Sequence, residues 1–267
     1  MGVLWILMKL PIFQLDAFSD RLFAGNPAAV CPLAEWLPDP VMQSIAAENN
    51  LAETAFLVGG AGRYHIRWMT PETEVDLCGH ATLASAWVVF HELEPGREEV
   101  VFDSASGPLV VRRRDGLLEL DFPARPAAPA AAPGGLAEAL RAAPLATFAS
   151  QRDWLALFAT EADVRALRPD MARLRELPLA AVVATAPGED CDFVSRFFAP
   201  ALGVDEDPVT GSAHCALAPF WADRLGRNPL RARQVSRRGG ELLCTVEGDR
   251  VRIAGAVTPY LRGTIEV

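Results

Sequence analysis

No apolar stretch in these 267 residues approaches the ~20 that a membrane-spanning helix needs. Positive charge is also in deficit: 25 Lys and Arg stand against 34 Asp and Glu, for a formal net charge of −9. Without a basic surplus, nucleic acid and anionic membrane are poor candidates for the main partner, whereas a local site for a small anion stays open. Cysteine is sparse, odd in number and scattered (Cys31, Cys78, Cys191, Cys215, Cys244), and Cys-x-x-Cys does not occur. That usage speaks against a disulfide framework and for reduced thiols in a cytoplasm. Residues 1–7 are apolar but lack a positive n-region and a small-residue cleavage site, which argues against a signal peptide. Met8-Lys9-Leu10-Pro11 is the more natural start, so residues 1–8 are read as a dispensable extension. The remainder, 51% hydrophobic and 22% charged overall, is long enough for one large or two small domains.

What the chain does have is a repeat. Arg67-Trp68-Met69-Thr70-Pro71, Val75-Asp76 and Gly79-His80-Ala81 recur as Arg196-Phe197-Phe198-Ala199-Pro200, Val204-Asp205 and Gly211-Ser212-Ala213. The offset is 129 residues at the arginines and 132 at the glycines. A repeat of this length predicts two similar lobes. The copies differ in one telling respect: the first carries Glu53, and at the same offset the second has Val182. A single carboxylate in an otherwise pseudo-symmetric pair is the main functional clue.

Strands are expected at about 12–18, 28–33, 54–58 and 64–69, with a helix from Asp39-Pro40, where Asp39 can accept the orphan N–H groups, to Asn49-Asn50. Residues 80–91 read as a helix with almost no polar face, hence a buried one. Short strands follow to 122, then an Ala- and Pro-rich linker at 124–135. The second half reads as short strands and short helices around a second buried helix at 213–225, which Pro219 should bend. Late strands are expected at 234–236, 241–247, 250–254 and 262–267. Few helices among many strands point to an α+β fold of two lobes, each wrapping one helix, rather than a doubly wound sheet.

Gly79-His80 and Gly211-Ser212 each open one of the buried helices. Helix N-termini present unbonded amides and partial positive charge, so two such ends can hold a carboxylate with little basic side-chain help. A glycine can also simply begin a helix; recurrence in both copies favours the anion site. Glu53 lies between a helix and a strand, flanked by Leu51, Ala52, Ala55 and Phe56. It reads either as a solvated carboxylate or as a partly desolvated acid/base with a raised pKa. Asp207, in Glu206-Asp207-Pro208-Val209-Thr210-Gly211-Ser212, is either a turn residue or an acceptor for a substrate hydroxyl or amine. His80 is either a core histidine or a polar contact to substrate. Cys78 with His80, and His214 with Cys215, would supply four nitrogen and sulfur ligands, but their spacing matches no common zinc pattern, and no metal site is assigned.

These same segments carry a family likeness. Asp16-Ala17-Phe18, Phe23-Ala24-Gly25-Asn26-Pro27-Ala28-Ala29-Val30, Glu53-Thr54-Ala55-Phe56, Cys78-Gly79-His80-Ala81-Thr82, Asp207-Pro208-Val209-Thr210-Gly211-Ser212-Ala213 and Ser236-Arg237-Arg238-Gly239-Gly240 resemble, in order, the PhzF family. These are phenazine-biosynthesis-like isomerases with the diaminopimelate epimerase fold, and the likeness runs from about residue 9 to 267. It implies two lobes, each a barrel-like, mainly antiparallel sheet around a central helix, with a cleft between them. The first lobe would hold 9–115 plus 255–267, and the second 116–254. It further implies Glu53 as the proton-shuttling acid/base, His80 and Asp207 assisting, and Gly79, Gly211 and Ser212 binding substrate. No metal, nucleotide or organic cofactor is implied. Two departures stand out. Ala52 replaces the serine of the phenazine enzyme. Cys78 stands where the epimerase branch places a catalytic thiol, while the partner position falls near Pro208.

The expectation is therefore a cytoplasmic, cofactor-free isomerase, as a homodimer, acting on a small carboxylate, with Cys78 in contact with substrate. The alternatives are a racemase or epimerase using Glu53 with Cys78, and a small-anion-binding protein without turnover.

Overall fold

The computed structural model describes residues 8–151 and 153–267. The expected extension therefore lies outside the described residues except for Met8. Met8 belongs to the fold, because it exchanges both backbone hydrogen bonds with Val267.

The chain begins with β1 (Lys9–Ala17), β2 (Asn26–Leu33), α1 (Asp39–Asn49), β3 (Glu53–Gly60), β4 (Arg63–Met69), β5 (Glu74–Val75), α2 (Gly79–Val88), β6 (Glu99–Ser104) and β7 (Gly107–Arg114). It continues with β8 (Leu117–Pro123), β9 (Ala128–Pro129), α3 (Leu136–Leu140), β10 (Ala146–Ala149), β11 (Asp153–Leu157), α4 (Glu161–Ala166), α5 (Met171–Glu176), β12 (Ala181–Pro187), β13 (Phe193–Ala199) and β14 (Val204–Asp207). It ends with α6 (His214–Leu225), β15 (Leu230–Gln234), β16 (Gly240–Glu247), β17 (Arg250–Gly255) and β18 (Val257–Glu266). Strands dominate and helices are few and segregated, so the fold is α+β. No helix among the described residues is long and apolar enough to cross a membrane.

Two compact units emerge. The first runs to Leu22 and adds Pro27–Leu118 and Ala256–Val267; the second holds Phe23–Asn26 and Glu119–Gly255. In the first unit β2 pairs parallel with β3, β3 antiparallel with β4, β4 parallel with β6 and β6 antiparallel with β7. The second unit repeats that order with β11, β12, β13, β15 and β16. The sequence repeat is thus a repeat of strand pairing. β18 completes the first unit by pairing antiparallel along all of β1.

Each unit builds its core on one helix. Residues 80–88 of α2 are all buried, and α2 packs on β1, β3 and β18. Ala81, Ala84, Ser85 and Ala86 keep its girth small, while Leu83 and Val88 each contribute about 2 kcal/mol of burial. α6 packs on β15, β16 and β17. Only its first half is buried throughout, because Asp223, Arg224 and Leu225 reach solvent.

Several expectations need correction. Asp39 makes no side-chain cap on α1; its carboxylate goes to Arg67 Nη1 at 2.8 Å. The first buried helix does not continue regularly to His91, because residues 89–93 form a π turn that places His91 stacked on Trp87. The strand expected at 234–236 is β15, which ends at Gln234, and β14 was not anticipated.

Candidate active site

In the first unit three titratable side chains converge. Glu53 is the first residue of β3, directly opposite Ala28 of β2, rather than a residue of the preceding junction. Asn49 Nδ2 donates to Thr54 Oγ1 at 3.0 Å and ties the end of α1 to the residue after Glu53. Cys78 is the N-cap of α2 in extended conformation, and its carbonyl accepts from both Thr82 N–H and Thr82 Oγ1. His80 occupies the second position of the helix. Its Nε2 lies 3.2 Å from Glu53 Oε2, and its Nδ1 lies 3.4 Å from Cys78 Sγ.

The electrostatics follow from burial. The imidazole of His80 is pushed down to about 3 by desolvation, offset in part by a hydrogen bond to the Pro27 carbonyl. Burial prevails at rest, because a charge on a ring this enclosed costs several kcal/mol. His80 is neutral, and its Nε2 lies against a carboxylate that retains 19% side-chain exposure. The closeness of the two groups suits proton transfer, and Glu53 remains reachable. The amides of Gly79, His80 and Ala81 precede the first intrahelical bond, Thr82 N–H to the Cys78 carbonyl, so the positive end of α2 sits beside these groups.

The structure also sharpens the comparison between copies. Thr54 pairs with Met69 in the first hairpin, and Val182 pairs with Phe198 in the second. Met69 and Phe198 correspond in the repeat, so Glu53 corresponds to Ala181, not to Val182. The shift arises because the second hairpin turns through a longer loop; the absence of a second carboxylate at this position stands.

In the second unit Asp207 ends β14. Its Oδ1 accepts from Asn26 Nδ2 at 2.8 Å, and its Oδ2 accepts from Thr210 Oγ1. Asn26 also donates to the Val209 carbonyl at 2.9 Å. Gln234 clamps the turn: its Nε2 donates to the Asp207 carbonyl at 2.7 Å and its Oε1 accepts from Thr210 N–H at 2.9 Å. Ser236 Oγ donates to the Pro208 carbonyl. Burial raises the Asp207 carboxyl to about 6, against the pull of the Thr210 and Asn26 hydrogen bonds. Gly211, Ser212 and Ala213 form a single 3-10 turn that runs into α6, so Gly211 does not open the α-helix itself as expected.

Among the described residues, Glu53, Cys78 and His80 are the group of acidic, histidine and cysteine side chains close enough to share an ion, with ligand atoms within 4.8 Å of one another. The imidazole, however, turns a different nitrogen to each neighbour. His214 and Cys215 are not part of that group. His214 Nδ1 contacts the Thr210 carbonyl at 2.8 Å, and burial drives the Cys215 thiol up to about 12. Asn26 and Gln234, both fully buried, were not singled out as site residues from sequence. Asn26 looked like a turn residue before Pro27, and a lone Gln carries no spacing signal.

The comparisons with known proteins bear on this geometry. A model of phenazine biosynthesis-like proteins, PhzC-PhzF, matches residues 15–263. The chain belongs to that family. It is 52% identical over 260 residues to an uncharacterized isomerase of Pseudomonas aeruginosa, covering 97% of this chain and 100% of that one. It is 40% identical over 291 residues to the phenazine biosynthesis-like domain-containing protein 2 of Mus musculus, covering 97% and 99%. A PhzF family crystal structure from Enterococcus faecalis superposes with a TM-score of 0.94 at 43% identity, covering 97% of this chain and 100% of that one. Family and fold together support an isomerase- or epimerase-like enzyme.

Proposed function

We propose that this PhzF-family protein is a cofactor-independent isomerase that moves a proton between carbons of a small carboxylate. The observation that carries the proposal is the contact of Glu53 Oε2 with the buried, neutral His80 at the N-terminus of α2. The helix end attracts the substrate carboxylate. Glu53 removes the proton, His80 shares it, and Glu53 returns it to another carbon. Asp207 orients the substrate. Its raised pKa lets it act as hydrogen-bond donor or acceptor near pH 6.

The test is a panel of small unsaturated and amino carboxylates incubated with enzyme in heavy water and followed by proton NMR. The expected result is deuterium at one carbon accompanied by migration of the double bond. Carboxylates that bind but show neither exchange nor migration would count against the reading. The contact of Cys78 Sγ with His80 favours one second reading, a racemase in which Cys78 acts with Glu53. Exchange confined to a single stereocentre, with inversion, would support it.

A further inference from the structure

We propose that Trp68 is a positioning residue for Glu53, its indole N–H receiving the carboxylate in a second side-chain position that a proton shift between two carbons requires. The proposal deepens the isomerase reading and rests on it for that requirement. Its first basis is a buried donor. Trp68 is 1% exposed, and its Nε1 finds no acceptor among the described residues. A buried N–H is costly to leave unpaired, so one that persists calls for a use.

The register of the first unit puts that donor beside Glu53. Ala55 of β3 lies directly opposite Trp68 of β4, and Glu53 is two residues before Ala55. Alternate residues share a face, so Glu53, Ala55 and Trp68 leave the sheet on the same side. Diagonal cross-strand neighbours stand ~7–8 Å apart, within reach of an aromatic and a long side chain. The opposite side is taken by Phe56 and Met69, which pack with Met42, Ile45 and Ala46 of α1. The arginines of β4 alternate to that side as well: Arg63 pairs with Asp103, and Arg67 with Glu74 and Asp39. On its other edge Trp68 pairs with Val75, and the chain runs on from there to Cys78 and His80.

The repeat supplies an independent basis. In the second unit Val183 lies opposite Phe197, so Ala181 and Phe197 hold the places of Glu53 and Trp68. Carboxylate and indole occur together in one copy and are both missing from the other. A ring needed only to fill the core would serve as Phe in both. At rest Glu53 Oε2 lies 3.2 Å from His80 Nε2. Turning the carboxylate away from the imidazole and toward β4 brings it to the indole N–H, which donates to its ionised form. Glu53 takes the proton from one carbon in one position and gives it to the second carbon in the other. The C–H electron pair stays with the substrate in the first step, and a new C–H bond forms in the second.

The experiment labels the six tryptophans with heavy nitrogen and follows their indole N–H signals by NMR as the pH is varied. The Trp68 signal is the one lost in Trp68→Phe. It is expected to move downfield as the pH rises through the carboxylate range, and to stand still in Glu53→Gln. Of the other titratable groups, Asp39, Glu74 and Asp103 are held on the opposite side by arginines. Cys78 and His80 at the start of α2 remain, as does Glu94, which accepts from Tyr64, and the Glu53→Gln comparison separates their share. In turnover, Trp68→Phe is expected to slow migration of the double bond at least about tenfold, as for a lost hydrogen bond to a charged group, while exchange at a single carbon in heavy water is retained. Should Trp68→Phe fail to fold, benzothienylalanine in place of Trp68, which keeps both rings and has sulfur for the N–H, serves instead. A Trp68 signal that behaves alike in wild type and Glu53→Gln overturns the proposal, and so does an equal loss of exchange and migration. The indole titration needs no turnover, so its failure leaves the isomerase reading standing. Coupling of Trp68 to Glu53 without proton exchange from any carboxylate supports the pairing and counts against the isomerase reading instead.

Discussion

Burial and hydrogen bonding compete at Asp207. Desolvation raises its carboxyl to about 6, whereas Asn26 and Thr210, which donate to the ionised form, pull it down. Asn26→Ala should therefore raise the carboxyl further, seen as a shifted titration of its side-chain carbon by NMR; an unchanged or lower value would contradict the assignment. Asp207→Asn should weaken both substrate binding and rate, raising KM and lowering kcat, because its proposed role is orientation. Gln234→Ala should cost about 2 kcal/mol in denaturant unfolding, since it strands the Asp207 carbonyl and the Thr210 amide beneath a buried turn. Glu53, His80 and Asp207 stand out in sequence as candidates because they lie in motifs. Asn26 and Gln234 could not, because a buried amide is defined by partners distant in the chain, 181 residues away for Asn26 and 24 to 27 for Gln234.

The two copies use the same device at element scale and set it in different surroundings. Arg67 on β4 grips Glu74 of β5 with two hydrogen bonds, and Arg196 on β13 grips Glu206 of β14 likewise. The side chain of Arg67 is 26% exposed, and its other partner, Asp39, is largely in solvent. That of Arg196 is 11% exposed, and Nη1 also donates to the Val164 and Leu167 carbonyls at the end of α4. Arg196→Ala should thus cost about 3 kcal/mol, as for a buried pair broken on one side. Arg67→Ala should cost less than about 1 kcal/mol. Equal losses in urea unfolding would contradict this account. The shared Arg and Val-Asp spacing made the repeat visible in sequence, and so foretold the repeated strand pairing. The π turn at 89–93 was invisible, because a helix apolar on every side has no periodicity in which an extra residue can show. β14 escaped notice because Val204-Asp205-Glu206-Asp207 has the composition of a loop.

For the whole molecule, two buried imidazoles set the response to acid. His80 is held down to about 3 and His214 to about 4, both by burial, while unfolded histidine titrates near 6.5. Their contributions to stability are present above about 6.5 and are lost as the pH falls toward those values. Asp207 acts in the opposite sense. Raised to about 6, its contribution is full below its unfolded value of 3.8 and is lost as the pH rises through 6. Two groups against one leave a net loss on acidification from pH ~6 to ~4, near 1.4 kcal/mol per pH unit for one net proton. Urea midpoints across that range should fall, and His214→Gln should flatten the slope; midpoints that rise on acidification would contradict the assignment. The central claim is that one carboxylate, Glu53, carries the proton for the reaction, and its most direct test is Glu53→Gln. Once a carboxylate that exchanges in heavy water is in hand, the variant should still bind it while deuterium incorporation falls at least ~10²-fold. Incorporation at the wild-type rate would contradict the claim and shift the chemistry to Cys78.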